Sequence, residues 1–168
     1  MKNRIKVSDE ITTAGQPSEE EIKKLPQLKP IGYIKSSIKQ PKFGGWQDLI
    51  TEIVIDPNYI DGLEGIDEYS HLIILYWLDK VDKVKLKMRP QGRKDVPEVG
   101  IFACRCPWRP NPIGMATVEL LERNGNILKV KGLDVLDGTP LIDIKPYTPP
   151  YDAVEGMRYP DWVNKLEY

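Results

Sequence analysis

Arg105, Trp108, Arg109 and Asn111 stand close together in the chain, interleaved with Pro107, Pro110 and Pro112. Two guanidiniums offer forked donors to a carboxylate or a phosphate. An indole offers a face on which an unpaired base can stack, and a primary amide offers both donor and acceptor to a base edge. Each proline fixes its own φ and gives up a main-chain N–H, so these groups are held with little left to freeze on binding. Such a loop suits a binding site on a scaffold. It also suits a decorated connection between two strands, and the residue types leave both readings open.

A second basic group precedes it. An extended segment predicted from Val81 onward puts Lys83, Lys85, Lys87 and Arg89 on one side and Val84, Leu86 and Met88 on the other, with Arg93 and Lys94 following. Phosphate contacts of this kind position a nucleic acid without reading its sequence. A solvated edge strand protected by lysines has the same pattern. Asp137-Gly138-Thr139-Pro140 reads as a tight turn, where a carboxylate and exposed amides can hold a ribose and a base. His71 is the only histidine, beside an apolar run. A lone His there is more often a hydrogen-bonded structural residue than a base. Cys104 and Cys106 are too closely spaced for an unstrained disulfide and too few for a closed metal site within one chain. They fit a reduced pair, or a site shared between two copies.

The elements that must position these groups are mostly strands. Ile31–Ser37, Leu49–Ile55, Leu72–Leu78, Val99–Arg105, Met115–Glu122, Ile127–Val135 and Leu141–Lys145 have strand character, and Asn124-Gly125 is a hairpin signal. The uninterrupted apolar run Leu72–Leu78 implies a strand covered on both faces. Helices are few: Ser18-Glu19-Glu20-Glu21 is a capping box opening a short helix to about Leu25, Gly65–Tyr69 makes a helical turn, and a short helix falls near Tyr159–Leu166. Many short strands with regular turns predict a mainly β protein, a small β-barrel with short peripheral helices. No glycine-rich βαβ fingerprint is present, which argues against a Rossmann fold.

The 168 residues suit one barrel domain over 30–152, an N-terminal extension over 1–29 and a C-terminal segment over 153–168, helical and packed on the barrel. A net charge of -1 gives no global attraction to nucleic acid, so RNA binding has to come from a local patch. No apolar run approaches a membrane span and the N-terminus lacks a signal-peptide core. The expected compartment is therefore the cytoplasm.

The run Phe102-Ala103-x-Arg105-x-x-x-Arg109-Pro110-Asn111-Pro112-Ile113-Gly114 closely resembles the signature of the TsaA/TrmO-like family. Gly62-Leu63-Glu64-Gly65, Tyr69-Ser70-His71-Leu72, the segment from Asp134 to Tyr147 and Ile31-Gly32-Tyr33-Ile34 resemble it too, in the family's order. The resemblance implies a β-barrel methyltransferase that uses S-adenosylmethionine (SAM) and acts on N6 of threonylcarbamoyladenosine at tRNA position 37, beside the anticodon. It also implies a homodimer. By the same resemblance His71, Leu72, Arg89, Leu136, Asp137, Gly138, Thr139, Gly44 and Gly45 contact the cofactor. Asn111, Arg109 and Arg105 handle the acceptor, and Lys83, Lys85, Lys87, Arg93, Lys94 and Trp108 bind RNA; no metal is implied.

The chain departs from the family in two places. Phe43-Gly44-Gly45-Trp46-Gln47 stands where members carry a Pro-Arg-Gln-type segment, and the two cysteines replace small hydroxyl residues. A paralogue that methylates another acceptor fits these departures, and a non-catalytic sensor that binds SAM or metal is a third reading.

Overall fold

The computed structural model describes Ser18, Glu20 and residues 27–40 and 44–167, so the helix expected from Ser18 lies outside the described residues. Eight strands are formed among the described residues: β1 (Gly32–Lys35), β2 (Ile50–Ile55), β3 (His71–Trp77), β4 (Lys87–Met88), β5 (Val99–Gly100), β6 (Ile113–Asn124), β7 (Ile127–Lys131) and β8 (Pro140–Pro146). Six of them close into an antiparallel barrel in the order β1-β2-β7-β6-β3-β8, while β4 and β5 form a separate ribbon. Closure leaves no bare sheet edge among the six.

The barrel forms because alternate residues on each strand are apolar. Ile34, Ile53, Ile55, Leu72, Ile74, Val118, Leu128, Val130 and Leu141 all point inward and are buried. Thr51 shares the inward row and its hydroxyl has no partner. Removing a buried, unbonded hydroxyl relieves a desolvation cost of about 1 kcal/mol or more. Thr51→Val is thus expected to raise the denaturation midpoint, and chemical unfolding with an unchanged or lower midpoint would refute this.

The hairpin between β6 and β7 turns on Gly125 and Asn126, one residue later than the sequence suggests; Asn124 pairs with Ile127 and Gly125 takes φ +58°. Strand β3 is not covered on both faces as its composition implies. Leu72, Ile74 and Tyr76 are inside, while Ile73, Leu75 and Trp77 are only half-buried. The helical elements among the described residues are short, seven residues at most, too small to form a second layer.

Two other expectations change. Val99–Arg105 is not one strand: β5 ends at Gly100, Ile101–Ala103 forms a 3-10 turn, and the chain continues extended from Cys104. This turn buries Ile101 and leaves Phe102 exposed. The basic segment ahead of it is regular only at β4, which pairs Lys87 with Gly100 and Met88 with Val99. Val84 and Leu86 are exposed, so its apolar side has no core to cover. The C-terminal helix is a 3-10 turn, Asp161–Lys165.

Candidate functional site

The proline-rich loop between β5 and β6 is braced by its own arginine. Arg109 Nη1 donates to the carbonyls of Ile101, at 3.0 Å, and Cys104, at 2.8 Å. The guanidinium carbon lies 5.8 Å from the centroid of the Phe102 ring. Prolines offer no N–H to these carbonyls, so the guanidinium supplies the donors. Arg105 Nη2 donates to the Met115 carbonyl on β6. Trp108 is half-buried, with Lys85 Nζ 4.7 Å from its ring centroid. The Lys85 N–H donates to the Trp108 carbonyl, tying the basic segment to the loop. Asn111 is exposed, and its side-chain amide makes no hydrogen bond among the described residues.

Within the loop, burial pushes the Cys106 thiol up to about 12, with the neighbouring Cys104 adding to the rise and Arg109 opposing it. A thiol raised in this way carries far less thiolate at pH 8 than an ordinary one. Cys106 is therefore expected to resist iodoacetamide at pH 8 until the protein is unfolded. Peptide mapping that shows equal alkylation of native and unfolded protein would refute it. Both cysteines are free, and no group of three candidate metal ligands occurs among the described residues.

The turn before β8 is pinned rather than open. Asp137 Oδ1 accepts from the Ser36 N–H at 2.9 Å, and Oδ2 accepts from Lys39 Nζ at 2.6 Å. Lys39 first, then the Ser36 N–H, hold this carboxyl below its usual range. Thr139 is buried and its hydroxyl donates to the Leu136 carbonyl. Gly138 takes φ +78°, and the space where a Cβ would stand is empty. The same holds for Gly45 at φ +70°. Both glycines leave bare main chain facing open space.

Arg89 donates to the Val96 carbonyl at 2.7 Å and holds the loop after β4. Arg93 is occupied twice: it makes two bonds to Asp95, at 3.0 and 3.1 Å, and a longer one to Glu167. Lys83, Lys85, Lys87 and Lys94 are exposed. Of the basic residues singled out in the sequence, Arg93 is thus the one whose charge is already answered.

His71 and Leu72 lie elsewhere. Leu72 pairs with Pro146 at the end of β8, whereas the Asp137 turn precedes Pro140 at its start. At the usual rise per residue the two groups are about 20 Å apart along that strand. His71 Nδ1 is 2.9 Å from Ser70 Oγ, its ring meets Tyr147 edge-on, and the Leu72 side chain is sealed in the core. Near this end a groove of ≈ 330 Å³ opens between Tyr59, Leu63, Glu64, Tyr69, Asp143 and Ile144. The Gly62–Gly65 motif signals it, but composition alone gave that motif no role. Nor did the sequence reveal Gln91 and Glu167, which join the loop after β4 to the end of the chain.

These observations define a class: a small closed β-barrel with glycine turns and a proline-braced basic loop at one end. A family model described as the tRNA-methyltransferase O N-terminal domain matches residues 34–153, and the chain belongs to that family. It is 48% identical over 134 residues to an S-adenosyl-L-methionine-binding protein of Archaeoglobus fulgidus, covering 77% of this chain and 95% of the relative. It is 36% identical over 140 residues to a putative S-adenosylmethionine-dependent methyltransferase, RcsF, of Pseudomonas aeruginosa, covering 78% of this chain and 61% of that one. The crystal structure of TrmO from Pseudomonas aeruginosa superposes with a TM-score of 0.65 at 30% identity, over 80% of this chain and 61% of that chain. No helix among the described residues is long and apolar enough to cross a membrane.

Proposed function

We propose that this protein is a SAM-dependent tRNA methyltransferase that acts on N6 of threonylcarbamoyladenosine at position 37. The observation that carries the reading is Asn111: an unengaged amide on a proline-braced loop, flanked by Trp108, Arg105 and Lys85. Family membership supports the same reading.

The residues present fit the cofactor. Gly45 and Gly138 offer main chain to open space, and the Asp137 carboxylate holds the Ser36–Lys39 segment beside its own turn. When bound, SAM supplies a methyl group on a sulfonium, already activated for transfer. The chain's task is alignment. Trp108 stacks on a base of the anticodon loop, Lys83, Lys85, Lys87 and Lys94 meet phosphates, and the free edge of Arg105 meets the threonyl carboxylate. The N6 nitrogen is conjugated to a carbonyl, and its proton passes to solvent at the exposed loop as the methyl arrives. The Asn111 amide orients that group toward the donor.

Two features support a homodimer. Outward-facing Ile73, Leu75 and Trp77 on β3 lie beside Ile113 and Met115 on β6, an apolar strip on the barrel wall. A site that uses both His71 and the Asp137 turn also draws them from two copies, because one chain holds them apart.

The test incubates the protein with SAM and total tRNA, then digests the tRNA and weighs its nucleosides. One added methyl on threonylcarbamoyladenosine is the expected result. Unchanged nucleosides beside a working control enzyme would overturn the reading in favour of another acceptor or a sensor.

A further inference from the structure

Gln91 is the non-glycine residue with positive φ among the described residues, at φ 53° and ψ 16°. A side chain in the left-handed region costs on the order of 1 kcal/mol and persists where the surroundings require it. Here the requirement is visible. The Gln91 amide donates from Nε2 to the Glu167 carbonyl at 2.6 Å and accepts from the Glu167 N–H, at Oε1, at 3.0 Å. One side chain thus satisfies both main-chain groups of one residue, as a neighbouring strand would. Arg93 Nη1 reaches the Glu167 carboxylate at 3.5 Å, and Lys165 Nζ donates to the Asp95 carbonyl at 3.1 Å. Trp162, Val163 and Leu166, on the same stretch as Lys165 and Glu167, are half-buried.

The far side of this strap meets the glycine turn. A Cβ on Gly44 would stand 3.8 Å from Glu167 Oε2 and from its Cβ, so the strap occupies the space beside a residue with no side chain. Gly44 and Gly45 stand where the sequence lacks the arginine expected from the family resemblance. The segment just upstream, Ser36–Lys39, is the one bonded to Asp137. The strap therefore closes on the Gly44–Gly45 turn, one of the two glycine turns that face open space. A carboxylate there repels phosphate but accepts from hydroxyl and ammonium donors, and SAM carries both on its ribose and amino-acid ends.

We propose that residues 161–167 form the donor-side wall of the site, with Gln91 as the positioning residue that clasps the wall and Glu167 as an acceptor for SAM. This rests on the SAM-dependent reading above. Two variants test it. Gln91→Gly keeps the left-handed backbone, which glycine adopts freely, and removes the clasp. Glu167→Gln keeps the main-chain clasp and removes the carboxylate charge.

Calorimetric titration with SAM alone reads the donor side without RNA, and hydrogen exchange at the Glu167 N–H reads the clasp. Gln91→Gly is expected to weaken SAM binding about tenfold and to speed that exchange, with tRNA affinity within twofold of wild type. Glu167→Gln is expected to weaken SAM three- to fivefold with exchange unchanged. Faster exchange with unaltered SAM affinity would overturn the wall, and unaltered exchange in Gln91→Gly would overturn the clasp. A gain in tRNA affinity with SAM unaffected would make the strap a cover over Arg93 and overturn the donor assignment. A wild type that binds SAM but methylates no tRNA defeats the acceptor reading and leaves these measurements decisive.

Discussion

Arg109→Ala is expected to lower kcat/KM for tRNA about 100-fold while leaving SAM affinity within twofold of wild type. The size follows from what Arg109 Nη1 does: it bonds the carbonyls of Ile101 and Cys104 at 3.0 and 2.8 Å. Hydrogen bonds from a charged donor are worth roughly 1.5–3 kcal/mol each, and unpaired carbonyls add a desolvation cost. A 100-fold loss corresponds to about 2.7 kcal/mol, so the equivalent of one such bond suffices. The loss falls on the acceptor because the loop that relaxes carries Trp108 and Asn111. Gly45 and Gly138 belong to other turns. The lost bonds also hold the native loop, so the melting temperature should fall by a few degrees as well. Arg109→Lys should recover only part of the activity, since an ammonium lacks the planar fork that spans two carbonyls. The check is steady-state kinetics in tRNA and SAM separately, with SAM binding measured by calorimetry. Equal losses in both would show that the loop serves the whole site and would remove its acceptor role.

The same arginine shows what the sequence could and could not disclose. Strands β2 and β7 are legible because their alternate residues face one core, whereas β3 is legible as a short apolar run although only one of its faces is buried. Gly125 announces its hairpin for a local reason as well: its φ of +58° is cheap only for glycine. Val99–Arg105 looks like another strand, but Ile101 turns into the core and Arg109, eight residues on, takes over its carbonyl. No local pattern encodes a guanidinium arriving from across a loop. The alternating lysines from Lys83 fail as a strand signal because nothing covers Val84 and Leu86. In the candidate site, the Arg105–Asn111 loop and the Asp137 turn were visible as residue types, and resemblance gave them roles. Their bonds were not visible: Asp137 answers Lys39 and Ser36, and Gln91 answers Glu167, across separations that only the closed fold creates.

Gly114→Ala is expected to destabilise the protein by about 3–4 kcal/mol and to damage acceptor binding with it. Gly114 faces Tyr76 across the β3–β6 ladder. A Cβ at Gly114 would stand 2.1, 2.4 and 2.7 Å from Tyr76 Cε2, Cζ and Cδ2. Those atoms belong to a rigid ring that is 8% exposed, among Leu72, Ile74 and Val118 in the core. Overpacking of this kind typically costs 1–3 kcal/mol, and expelling the ring instead forfeits a burial worth about as much again. At this chain length the midpoint should fall by roughly 10 °C.

The phenol reports which event occurs. Burial, with the Asp134 carboxylate adding to it and Arg105 opposing, pushes Tyr76 up to about 12. A raised value stabilises the fold below the ordinary tyrosine range near pH 10, and that contribution is lost as pH climbs toward 12. In Gly114→Ala the expelled ring should ionise with ordinary tyrosines, and ultraviolet absorbance between pH 10 and 12 measures it. Acceptor binding suffers because Gly114 is flanked by Ile113, where the proline loop ends, and by Met115, whose carbonyl holds Arg105. Tyr76→Leu alone opens a gap, yet combined with Gly114→Ala it leaves room for the new methyl, so the double variant should recover part of the lost stability. A single Gly114→Ala variant that melts within a degree of wild type, with its last tyrosine still titrating near 12, would show that the ring and the strand part without cost and would remove this contact from the account of the fold.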